Sequence, residues 1–162
     1  MTAPSGVLPS ETAQSGSGYP TDPIASANLY CTGAKVGVIA TVAAGSALGG
    51  VARYLIGSWA QNGSHAFPWG TLVVNLTGCL VLGILVRWLG DVADSAQWRL
   101  FLAIGFCGSY TTFSTFSYEA VQLLRDRDWT AAVGYLSASM IGGLLALVVG
   151  LAAADWLLKA RG

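Results

Sequence analysis

Charge is what this 162-residue chain has least of. Charged side chains make up 10% of it, against about 25% in soluble domains, and a deficit of that size points to a membrane protein. The eight basic and eight acidic residues cancel, so no basic surface invites nucleic acid and no acidic tail invites a cationic partner. There is a single histidine, His65, with no catalytic or metal constellation near it in sequence, and no enzyme activity is expected. The three cysteines, Cys31, Cys79 and Cys107, are odd in number and dispersed, which argues against a disulfide framework. Cys79 and Cys107 read as small apolar filler between helices.

Bulky apolar residues are scarce in residues 1–33, which are rich in Ser, Gly, Thr, Pro and Ala. Such a stretch cannot bury enough surface to offset its ordering entropy and is expected to be disordered. No Lys or Arg precedes Lys35, so it lacks the basic start of a signal peptide. Residues 34–162 are then expected to form one membrane domain.

That part holds four apolar segments, Val36 to Ile56, Pro68 to Val86, Leu100 to Leu124, and Trp129 to Leu151 or a little beyond. Each is near the about 20 residues a helix needs to cross a hydrocarbon core. Trp59, Trp69, Trp88, Trp98, Trp129 and Trp156 all fall at segment ends, where amphipathic rings favour the headgroup layer. The expected fold is an all-α integral membrane bundle of four transmembrane helices. An even number of spans puts both termini on one side. Lys35, Arg87, Arg99, Lys159 and Arg161 fall on that side, and Arg53, Arg125 and Arg127 nearer the other. So small a bias permits insertion in both orientations, and hence an antiparallel dimer; a single orientation with cytoplasmic termini is the alternative.

Polar groups at membrane depth are expensive and usually face a bundle interior, a cavity or a partner. Arg53, in GGVARYLIG, either snorkels to the interface or supplies a cation at the mouth of an anion pathway. Asn75, in WGTLVVNLTG, is mid-span; its amide makes an interhelical hydrogen bond or lines a pore with its NH2 donors. The run GFCGSYTTFSTFS, residues 105–117, is the least lipid-like of all. Gly108 offers backbone freedom for a helix interruption, which would leave carbonyls free to bind a cation and is tolerated only inside protein or along a cavity. The other reading is an unbroken helix whose Ser and Thr bond back to the preceding turn. Phe113 and Phe116, three apart, share a helix face; they pack conventionally, or turn their positive ring edges toward a small anion. Glu119 falls near the end of its segment and reads as interfacial. Tyr135 and Ser139, four apart in the fourth segment, line a polar track or glue two helices together.

Taken in order, GGVARY (49–54), GTLVVNLTG (70–78) and GFCGSYTTFSTFS (105–117) resemble the fluoride channel family, known as Fluc or CrcB, over about residues 36–155. The resemblance implies a multi-pass protein of the bacterial plasma membrane that passively exports cytoplasmic fluoride and so gives fluoride resistance. It also implies a break in the third span and an antiparallel, dual-topology dimer with two fluoride pathways. The dimer pairs identical chains, or this chain with a paralogous subunit. A central sodium ion is implied on the backbone carbonyls of Gly108 and Thr111. Asn75, Phe113, Phe116, Thr115, Tyr135 and Ser139 match the fluoride pathway, Arg53 the vestibule arginine, and Glu119 an acidic position close to the pore end. Two departures stand out: Ser109 follows Gly108 where the family usually has a second glycine, and Gly143 replaces a serine that some members carry.

The alternative function is a small four-helix proton-coupled multidrug exporter. That chemistry wants a carboxylate mid-membrane, typically in the first span, and Val36 to Ile56 contains neither Asp nor Glu. A non-transporting membrane adaptor would account for the glycine faces but gives Asn75 and the TTFSTF run no purpose.

Overall fold

The computed structural model describes residues 35–62, 67–90 and 95–160. The expected disordered segment 1–33 lies outside the described residues, as do Cys31, His65 and Arg161. Within them the chain is helical and no strand is present. Helix α1 is Lys35–Gln61, α2 is Trp69–Gly90 and α3 is the short Ser95–Trp98. A nine-residue π-helical stretch, Arg99–Cys107, leads into α4, Gly108–Tyr110. Helix α5 is Phe113–Arg125 and α6 is Trp129–Lys159.

Three of these helices, α1, α2 and α6, are long and apolar enough to cross a membrane. The first and fourth expected segments run further than their apolar cores, to Gln61 and Lys159. Neither contains proline, so nothing stops the helical hydrogen bonding where hydrophobicity fades. The expected third segment, Leu100 to Leu124, is not one helix. It is divided at Thr111 (φ −79°, ψ 156°) and Thr112 (φ −146°, ψ 118°), both extended. The break therefore falls three residues after the glycine expected to cause it. Gly108 itself is ordinary right-handed helix (φ −63°, ψ −31°), and it is the two β-branched threonines, favoured in extended backbone, that leave the helical region.

Helices pack here by backbone approach at glycines. A Cβ on Gly83 of α2 would collide with the Leu147 carbonyl of α6, and one on Gly150 with the Leu80 carbonyl of α2. Gly45 and Gly49 of α1 meet the carbonyls of Phe101 and Phe106 in the same way. Small residues let backbones close up where lipid supplies no hydrophobic drive for helix association. The outer faces stay apolar and exposed, with Val51 and Leu55 on α1 and Leu144, Leu145 and Val148 on α6, as lipid contact requires.

The inner core gathers Leu72, Phe116, Ala120, Leu123, Ala132 and Tyr135 from α2, α5 and α6. At one end an Arg87–Asp155 ion pair joins α2 to α6, and Arg99 donates to the Leu89 carbonyl at the end of α2 (3.0 Å). At the other end α5 turns tightly into α6. Arg127 takes a left-handed conformation (φ 59°), and Asp128 Oδ1 accepts from the Ala131 N–H (3.0 Å), capping α6.

Candidate functional site: the helix break and the cavity beside it

The break is held open by named partners. Thr111 bonds back, its N–H and its hydroxyl both donating to the Cys107 carbonyl (3.0 Å each). Thr112 bonds sideways. Its N–H donates to Asn75 Oδ1 (2.9 Å), while Asn75 Nδ2 donates to the Thr112 carbonyl (3.1 Å). Gly78, three residues after Asn75 and one turn along α2, makes room, because a Cβ there would strike Thr111 Cγ2. The Thr112 hydroxyl then accepts from the Thr115 N–H (3.3 Å) and caps α5.

These bonds leave a definite consequence for the carbonyls. In a continuous helix the Thr112 N–H would meet the Gly108 carbonyl and the Thr115 N–H the Thr111 carbonyl. Both N–H groups are engaged elsewhere. The Gly108 and Thr111 carbonyls are two of the four, from Gly108 to Thr111, whose helical donors the break displaces.

The paired phenylalanines part company. Their centroids are 5.7 Å apart with planes inclined at 45°. Phe116 is 7% exposed and packs on Tyr135 (centroids 5.3 Å), whereas Phe113 is 77% exposed. Three-residue spacing kept them adjacent, but only Phe116 points into the core of this chain.

Glu119, read as interfacial from its place near the segment end, has partners that its place in the sequence did not indicate. It is half-buried, and each carboxylate oxygen accepts a hydroxyl: Thr71 Oγ1 donates to Oε1 (2.9 Å) and Tyr135 Oη to Oε2 (2.7 Å). Thr71 went unnoticed in the sequence reading. Its signal was there, four residues before Asn75 and hence on the same face of α2. Tyr110 was missed too; its hydroxyl pairs with that of Thr77 at 2.8 Å. Tyr135 and Ser139, expected to act alike, do not. The Tyr135 hydroxyl is committed to Glu119, and Ser139 Oγ is buried with no partner among the described residues.

A cavity of about 920 Å³ opens beside the break, with Arg53, Thr71, Thr112, Thr115 and Glu119 in its wall. Arg53 is half-buried there, and among the described residues no ion pair joins it to Glu119. The cavity thus brings the Arg53 cation, the Thr71, Thr112 and Thr115 side chains and the Glu119 carboxylate to one space. Asn75, Gly108, Thr111, Phe113, Phe116, Tyr135 and Ser139 lie outside its wall. Among the described residues no group of three or more His, Cys, Asp and Glu is arranged to hold a metal ion.

Comparison with known proteins agrees over the same stretch. Residues 40–151 match the family described as "CrcB-like protein, Camphor Resistance (CrcB)". A Chloroflexus aurantiacus protein named "Fluoride-specific ion channel FluC" is 42% identical over 120 residues, covering 73% of this chain and 95% of that one. A protein of the same name from Rhizobium meliloti is 44% identical over 116 residues, 70% and 93% of the two chains. "Fluoride-specific ion channel FluC 1" of Thermobifida fusca is 42% identical over 118 residues, 72% and 95%. With three helices long and apolar enough to span a bilayer, the chain is a multi-pass membrane protein. Its match through α1, α2, the break and α6 makes it a member of the CrcB-like family.

Proposed function

We propose that this protein is a fluoride-selective channel that passively exports fluoride across the bacterial plasma membrane. The observation that carries the reading is the break at Thr111–Thr112, pinned by Asn75 and followed at once by Phe113 and Phe116. A span with only lipid to face has no use for an interruption that exposes backbone polar groups. Relatives named as fluoride-specific channels, matched over more than nine-tenths of their length, support the same reading.

Fluoride is small and strongly hydrated, so a narrow site must replace its water with donors. This chain offers the second amide hydrogen of Asn75, the unpartnered Ser139 hydroxyl, the Thr115 hydroxyl and the positive edges of the two phenylalanines. Arg53 in the cavity wall supplies the cation at the mouth.

The helical stretches 95–110 and 113–125 together make the third of four spans in this reading. The functional unit is an antiparallel dual-topology dimer. Two observations support it: the near-even split of basic residues between the two ends, and the uncovered face of α5 that exposes Phe113, Tyr118 and Val121. A second copy lying across that face would turn Phe113 from an exposed ring into a pore wall.

A sodium ion at the dimer centre belongs to this reading, and the donor set fits it. Unwound backbone carbonyls are what membrane proteins use for sodium, and Gly108 and Thr111 have lost their helical N–H partners. The ion would supply positive charge to offset anion repulsion in a low-dielectric setting.

The test is fluoride efflux from liposomes containing only the purified chain. Fluoride-selective flux is expected, with chloride excluded. No flux, or equal flux of chloride, overturns the proposal.

A further inference from the structure

The four carbonyls freed at the break belong to a segment with few anchors of its own. Helix α4 is a single turn of three residues, Gly108–Tyr110. Gly108 has no side chain and is exposed, and Ser109 makes no side-chain hydrogen bond among the described residues. Tyr110 is the buried residue of this turn, at 4% exposure. Its ring stacks on Phe106 (centroids 5.7 Å, planes 8° apart) and lies over Gly78 of α2, where a Cβ would press on it. Its hydroxyl meets that of Thr77 at 2.8 Å. The direction of that bond follows from the number of hydrogens. A hydroxyl has one to donate, and Thr77 gives its own to the Val73 carbonyl of α2 (2.7 Å). Tyr110 is therefore the donor, and through Thr77 the turn is tied to the α2 backbone.

We infer that Tyr110 is a positioning residue for the break: its hydroxyl, held by Thr77, fixes the carbonyls of Gly108 through Thr111 and so sets how tightly they hold a sodium ion. Helix α2 anchors the segment on both sides of these carbonyls, with Thr77 on Tyr110 before the break and Asn75 on Thr112 after it. Gly78 lets both Tyr110 and Thr111 approach, since a Cβ there would meet each of them. A site of backbone oxygens gains affinity when those oxygens are ordered before the ion arrives, because their ordering then no longer opposes binding. Asn75 orders one end of the group. Without the Tyr110 bond the other end would depend on ring packing alone. The inference rests on the sodium reading of the break and adds to it a hydroxyl committed to α2 rather than to the ion.

The experiment is a thermal melt of the purified chain in detergent, titrated with sodium chloride while N-methyl-glucamine chloride holds the ionic strength constant. A cation that binds only the folded protein begins to raise the melting temperature as its concentration passes the dissociation constant, so the titration yields that constant. Y110F removes the hydroxyl and keeps the ring. Its sodium dissociation constant is expected to rise about fivefold, the equivalent of one ordinary hydrogen bond. T77V removes the acceptor from the other side and should give a similar rise. The double variant should show no more than either single, because the two hydroxyls act as one bond. A merely structural role would lower the melting temperature at every sodium concentration and leave the dissociation constant where it was; that result in Y110F overturns the inference, and so do additive shifts in the double variant. If Y110F fails to fold, the T77V titration decides between the same two results. A wild type whose melt ignores sodium removes the sodium reading and the inference together, while its fluoride flux still tests the channel reading by itself.

Discussion

Asn75 and Thr112 exchange two hydrogen bonds across the α2–α5 contact, side-chain amide against backbone amide, at 2.9 and 3.1 Å. The geometry is that of a strand pair one residue long, placed inside a helical bundle. It satisfies a buried N–H and a C=O that the break would otherwise strand. Asn75→Ala leaves both without a partner, and an unsatisfied buried group costs about 1–3 kcal/mol. The variant is expected to unfold in detergent at clearly lower temperature and to lose fluoride efflux. Asn75→Ala with wild-type thermal stability would show that the clamp contributes nothing.

Glycine positions separate into two kinds, and the difference is measurable. Gly83 and Gly150 face each other across α2 and α6, each against the other helix's backbone. Gly83→Ala and Gly150→Ala should each cost about 1–3 kcal/mol, the usual result of overpacking. The double variant should cost less than the two singles together, because one helix displacement relieves both clashes. Gly134 has nothing within 4 Å of its Cβ position. There Gly134→Ala should be neutral or stabilise by up to about 1 kcal/mol through helix propensity. Thermal melts of the four variants in one detergent check the ordering.

The two phenylalanines give a test that separates conduction from packing. Phe116 is core, between Tyr135 and the rest of the inner cluster, and Phe113 is solvent- or partner-facing in a single chain. Phe116→Ala is therefore expected to cost about 3–5 kcal/mol of stability. Phe113→Ile should leave the melt of the dissociated subunit within about 0.5 kcal/mol of wild type and still abolish efflux. Retained efflux in Phe113→Ile would move the pathway away from this ring.

Much of this architecture was legible in the chain, and the reasons for the rest are physical. Tryptophans mark span ends because the headgroup layer selects them wherever the helix goes, so Trp59, Trp69, Trp129 and Trp156 located α1, α2 and α6 without knowledge of packing. The hydroxyl run from Ser109 to Ser117 left an interruption and an unbroken helix both open, and glycine drew attention to the wrong residue for the break. Gly108 is permitted to leave the helix and does not, whereas Thr111 and Thr112 are driven out by what Asn75 and Gly78 offer from another helix. That partner is 37 residues away, beyond the reach of local pattern. The partners of Glu119 were hidden for a similar reason. Its distance from the segment end suggested the interface, yet Thr71 and Tyr135 come from α2 and α6 to meet it.

The proposed sodium site makes a prediction through Thr112. Its hydroxyl accepts the Thr115 N–H and so keeps that donor from the Thr111 carbonyl. Thr112→Val keeps the shape and removes the acceptor. The Thr115 N–H then has the Thr111 carbonyl as its nearest alternative, four residues back, and the carbonyl is no longer free for a cation. Loss of an N-cap alone costs about 0.5–2 kcal/mol, so the variant should fold with a modestly lower melting temperature. A stability difference between buffers decides the matter. Wild type is expected to melt higher in sodium than in N-methyl-glucamine, because a cation that binds only the folded protein stabilises it. In Thr112→Val that sodium-dependent increment should vanish while the cap loss remains in both buffers. An equal increment in the two proteins would mean that the Thr111 carbonyl does not hold sodium, and the cation would have to be sought away from the break.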